Sequence, residues 1–74
     1  MDAMTQLAKQ MARKGDTTVA VFAAHKMSPV PMPVGRKPEA TREAAEAKAR
    51  EALASPMFTQ AWTVGRDGVQ EVQA

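Results

Sequence analysis

Apolar residues recur along this chain in two rhythms, one helical and one alternating. Near the start, Met4, Leu7, Ala8, Met11 and Ala12 fall at i, i+3, i+4, i+7 and i+8, the repeat of a single helix face. The spacing predicts a short helix over 2–14. Asp2 is placed to cap its start, Gly15 lies just past its end, and Lys9, Arg13 and Lys14 complement the C-terminal dipole. A basic amphipathic helix of this kind docks on its own domain, on a partner's groove or on a membrane surface. It lacks the aromatic anchors of membrane helices, and packing on its own domain is the expectation. Its length is marginal in isolation, so fraying is the alternative.

A longer helical stretch occupies 38–54. It is built almost wholly from Ala, Glu, Arg and Lys, the residues that lose least on entering a helix. Pro38 suits a first turn, and Thr41 offers a cap one turn later. Ser55-Pro56 stops the helix. Thr41, Ala45, Ala49, Ala52 and Leu53 share one face, whereas Glu39, Glu43, Glu46 and Arg50 face away. Arg42–Glu46 and Glu46–Arg50 are spaced as surface ion pairs. A stripe of alanines approaches a sheet closely but buries little area.

The alternating rhythm marks strands on either side of this helix. Thr17–His25 is β-branched and apolar on both faces, as an interior strand covered on both sides should be. In Met27–Gly35, proline stands at 29, 31 and 33, so all three missing N–H groups lie on one edge. Such a strand pairs on one side only. An edge strand or extended loop is the expectation, with a polyproline II ligand as the alternative. Met57–Val64 places Phe58, Trp62 and Val64 on one face. Arg66-Asp67-Gly68 then predicts a hairpin turn. A three-residue loop with Gly68 in the left-handed region sets Trp62 opposite Val72 and Thr63 opposite Glu71, keeping apolar with apolar. On that register Trp62 fills the core beneath Leu53 and Ala49; its alternative role is an interface anchor.

These elements assemble most simply as an α+β fold in a single small domain. An antiparallel sheet of about four strands forms, with the 17–25 and 57–64 strands central and the proline-rich and C-terminal strands at the edges. The Ala-rich helix packs on one face. Residues 1–15 form the N-terminal helix and 16–74 the sheet–helix core.

Composition sharpens this picture. The chain has 74 residues, two phenylalanines, one tryptophan and no cysteine. A chain this size gains only about 3–5 kcal/mol from its core. Neither a disulfide nor a thiolate metal site is available to add to it. Association with a partner, or with a second copy as a homodimer, would stabilise it. No apolar run is long enough to span a membrane, and the first residues lack the layout of a signal peptide. A cytoplasmic protein is expected. The net charge of +2 is uneven: residues 1–37 carry +4 and residues 38–74 carry −2.

Catalytic and ligand-binding signatures are missing. His25 is the single histidine, and Ser28 and Ser55 stand outside any nucleophile turn. The carboxylates read as helical ion-pair partners, not as an acid–base pair. Gly35-Arg36-Lys37 is a short anion-binding hint without a glycine-rich phosphate loop. Three aromatics are too few to serve both as a core and as an RNA-stacking platform. No enzyme, cofactor or metal is expected.

The run from Val34-Gly35-Arg36 through Ala44-Ala45-Glu46-Ala47-Lys48-Ala49 to Ser55-Pro56, about a third of the chain, resembles the strand-to-helix passage of some phage-encoded anti-CRISPR proteins. The resemblance implies a non-enzymatic inhibitor that binds a CRISPR effector and blocks nucleic-acid binding or cleavage. The basic first half departs from members that imitate DNA and favours occlusion of a protein surface. Independently, the thin core and the exposed methionines point to an inhibitor or accessory subunit of a larger protein or ribonucleoprotein assembly. Lys9, Arg13, Lys14, Lys26, Met27, Met32, Arg36 and Lys37 are the candidate partner-binding residues. A small basic nucleic-acid-binding module using Lys9, Arg13, Lys14, Lys26, Arg36 and Lys37 is the alternative.

Overall fold

The computed structural model describes residues 3–73. Its elements are α1 (Ala3–Lys14), β1 (Ala20–His25), β2 (Ser28–Pro33), α2 (Arg42–Ala54), β3 (Phe58–Gly65) and β4 (Gly68–Val72). The strands form one antiparallel sheet in the order β2-β1-β3-β4, with β1 and β3 central as their two-sided apolar pattern demands. The proposed cap at Asp2 lies outside the described residues.

The two helices lie on opposite faces of the sheet. α2 packs over β1 and β3, and α1 packs over β3 and β4. Thr41 caps α2, its Oγ1 accepting from the Ala44 N–H at 3.1 Å, so the helix begins one turn after Pro38. Pro38 instead precedes a backbone exchange between Val19 and Glu39, both bonds 2.8 Å, which ties the approach to α2 against the start of β1. Ala45 and Ala49 are fully buried on Val19, Val21, Ala23, Ala61 and Val72. Alanine lets the helix axis come close to the sheet, and Leu53 and Phe58 close the end of this layer. On the other face Met4, Ala8 and Met11 cover Val64, with Leu7, Ala20, Phe22, Trp62 and Val69 around them. Gly15, at φ +67°, ends α1 in the left-handed conformation.

Three expectations about the third and fourth strands need correction. The hairpin loop has two residues, Arg66 and Asp67, between the paired glycines Gly65 and Gly68; it is not a three-residue loop with a bulge. Gly68 does take a positive φ, +120°. Trp62 therefore opposes Glu71, Thr63 opposes Gln70, and Val72 opposes Ala61. Gly65 is buried beside Arg42 and Asp67, so the turn closes one residue earlier than hydrophobic matching suggested. Trp62 also lies beneath α1, half-buried, and not beneath Leu53 and Ala49, because the face it shares with Val64 is the one α1 covers. Phe58 also leaves the face of Trp62 and Val64. The β1–β3 ladder runs from Ala24↔Gln60 to His25↔Phe58, and the extra residue, Thr59, turns Phe58 toward α2.

The edges differ. The Val34 N–H donates to the Val21 carbonyl at 2.8 Å, which fixes the phase of β2. The N–H of Met32 points inward with it, and Pro31 and Pro33 turn toward solvent, where a donor would otherwise invite a further strand. β4 contains no proline, and among the described residues no strand pairs with its outer side.

Candidate interaction surface

β2 extends past both helices. Because α2 sits on β1 and β3 and α1 on β3 and β4, neither helix covers β2, which with the β1–β2 turn forms an exposed arm at the edge of the sheet. Among the described residues, the four large apolar ones that are most exposed all belong to this arm or adjoin it: Met27 at 81%, Val30 at 66%, Met57 at 51% and Met32 at 49%. Exposed apolar residues scattered singly are ordinary, whereas these four are grouped on and beside one strand and its turn, which makes them a candidate contact surface.

The turn end of the arm is held by local bonds. In the β1–β2 turn the Met27 N–H donates to Nδ1 of His25 at 3.0 Å, and the His25 ring stands edge-on to Phe58 at 5.8 Å. The lone histidine thus orders a turn. The Lys26 N–H donates to the Met57 carbonyl at 2.8 Å, bringing Met57 beside the turn that carries Met27. Met57 is itself positioned by its N–H bond to Ser55 Oγ, 3.3 Å, at the end of α2. Methionine side chains on an ordered backbone offer an adaptable apolar surface at small backbone cost.

The charge of the arm has one sign. No Asp or Glu occurs from Thr17 to Pro38, whereas Lys26, Arg36 and Lys37 do. Lys48 of α2 leans to the same end, its Cε near Gly35. Gly35 takes φ +86° and turns the chain out of β2, which presents Arg36 and Lys37 at the base of the arm.

All eight residues expected to contact a partner are exposed, but they do not form one site. Lys26 and Met27 lie in the β1–β2 turn, Met32 lies on β2, and Arg36 and Lys37 follow its end, roughly 20 Å away along a six-residue strand. Lys9 is on α1, bordering a depression shared with Arg66 and Asp67, and Arg13 and Lys14 form the C-terminal turn of α1. The helix cations are thus separate from the arm. Val30 and Met57 belong to the surface and were not among the expected residues. The proline alternation already carried the signal for Val30: a strand unpaired on one side has half its environment in solvent.

A groove opens where the base of the arm meets α1. Leu7, Phe22, Pro33 and Val34 line it together with Arg36 and Lys37, around a volume of about 190 Å³.

Among the described residues, no group of three or more His, Asp or Glu side chains gathers as a metal site requires. No helix among them is long and apolar enough to cross a membrane. The chain matches no family model, no curated protein and no solved structure.

Proposed function

We propose that this protein is a non-enzymatic binding module that docks on a larger protein or ribonucleoprotein assembly through the β1–β2 arm. Its role is that of an inhibitor or accessory subunit, as the resemblance to anti-CRISPR proteins also implies. One observation carries the reading: Met27, Val30, Met32 and Met57 are exposed at one end of a molecule whose core is otherwise small. The division of the cations between α1 and the arm supports protein over nucleic acid, since a phosphate backbone is tracked by a continuous basic stripe.

Affinity capture from the native host with the full chain, compared with Met27→Asp/Met32→Asp, tests the proposal. Both side chains are exposed, so the double variant is expected to keep its melting temperature and lose the captured partner. Capture unaffected by the substitutions would remove the arm from the interface. Binding of oligonucleotides that weakens by about 0.9 log unit per log unit of salt for each phosphate contact would replace the reading with the nucleic-acid one.

A further inference from the structure

We infer that the groove between α1 and the base of β2 receives one apolar side chain from a partner segment that carries carboxylates on either side of it. The inference rests on the arm being the partner-binding surface and names the chemistry of what it binds.

The groove exists because α1 sits over β3 and β4 and covers only part of the corresponding face of β1, where Ala20 and Phe22 border its cluster. Phe22 of β1 is only half-buried there, although its strand neighbours Val21 and Ala23 are buried on the opposite face. Leu7 forms one wall from α1, and Pro33 at the end of β2 with Val34 just after it forms the other. The volume of about 190 Å³ is below the roughly 300–1,000 Å³ of a small-molecule pocket. It suits a single large side chain, the form in which interface anchors usually seat.

The rim decides what accompanies that side chain. Arg36 and Lys37 stand at the mouth, both exposed, and the stretch from Thr17 to Pro38 that builds most of the groove holds no carboxylate. A basic segment would meet uncompensated like charge, as would the same groove of a second copy. An acidic segment is matched. Pro33 has no N–H to offer at the free edge, so the segment is held by its side chains and not as an added strand.

The test uses the ¹⁵N-labelled full chain and an acetylated, amidated heptapeptide with one central Phe between Asp and Glu residues. Its comparators carry Ala in place of Phe, or Lys in place of every acid. Saturable amide shifts are expected at Leu7, Ala20, Phe22 and Gly35 with the acidic Phe peptide, and much smaller ones with either comparator. Arg36→Glu/Lys37→Glu is expected to weaken binding by about tenfold, as two partly screened ion pairs imply, with an unchanged melting temperature. Absence of shifts at these residues, or equal binding of the Lys peptide, overturns the inference. Partner capture separates it from the reading it rests on. If Met27→Asp/Met32→Asp abolishes capture while Arg36→Glu/Lys37→Glu leaves it whole, the arm stands and the groove falls. If the peptide binds but the methionine variant captures normally, the arm falls instead.

Discussion

Arg42, the first residue of α2, donates through Nη1 to the hydroxyl of Thr63 at 2.6 Å. Thr63 is completely buried, and no other polar or charged side chain among the described residues is buried with it. The same guanidinium reaches Gln70 on β4 at 3.3 Å and pairs through Nη2 with Asp67 in the β3–β4 turn. One side chain thus fastens the start of α2 to both strands of the hairpin. Glu46, the expected partner of Arg42, pairs with Arg50 at 3.6 Å.

Arg42→Met keeps much of the apolar stem and removes every donor. It is expected to destabilise the protein by about 1–3 kcal/mol, because the Thr63 hydroxyl is left without its partner in a buried position. Thr63→Val in the same background is expected to restore part of the loss, since removing both partners of a buried bond is less costly than removing one. Urea unfolding of Arg42→Met, Thr63→Val and the double variant measures both; a double-variant loss equal to the sum of the two single losses would show that the bond contributes nothing.

Asp67 gives this network a pH dependence. Its hydrogen bond from Arg42, and then one from its own backbone N–H, hold the carboxyl below the ordinary aspartate value of 3.8. A group with a depressed folded-state pKa stabilises the fold fully above its unfolded value and loses that contribution as pH falls through the folded one. Asp16, lowered by the Thr18 hydroxyl and N–H, acts in the same direction. The melting temperature is expected to fall as pH drops below about 4, and Asp67→Asn is expected to flatten part of that fall while lowering the plateau near neutrality. A variant whose acid limb overlays that of the parent would exclude Asp67 from it.

Trp62→Ala reports on the α1 layer. The side chain is half-buried beneath Met4, Ala8 and Met11. The expected loss is about 3 kcal/mol, the lower end of the range for large aromatics. The far-ultraviolet helix signal should fall before the β-sheet melts, because α1 rests on this cluster while α2 rests on the other. Simultaneous loss of both helices would mean that the two layers unfold as one unit.

Hydrogen exchange tests the phase of β2. The amides of Met32 and Val34 face β1 and are expected to exchange slowly, Val34 most clearly because its bond to Val21 is 2.8 Å. Pro31→Ala and Pro33→Ala should each add a fast-exchanging amide on the open side. Slow exchange of those new amides would place the free edge elsewhere.

The sequence carries the fold wherever side-chain type alone decides the matter. Alanines at 45 and 49 face the sheet, the prolines at 31 and 33 seal an edge, and Thr41 starts a helix, each for a local reason. It was misleading where a single-residue shift changes the face. Thr59 inserts a bulge that no residue type announces, and the hairpin closes at Gly65 because a buried glycine lies against Arg42 and Asp67, a contact between distant segments. Of the candidate surface, Met27 and Met32 are legible as methionines in a stiff segment. Met57 is not, because its exposure depends on the way the end of α2 meets the β1–β2 turn.

The unequal edges of the sheet set an arithmetic for assembly. Pro31 and Pro33 withhold donors along β2, while β4 keeps its full set. Each copy therefore offers a single receptive edge for in-plane pairing. Two copies joined through β4 would present only sealed edges outward, and growth would stop there. Pro31 and Pro33 thereby cap the number of molecules that strand pairing can join, so a continuous sheet allows a closed dimer and no fibre.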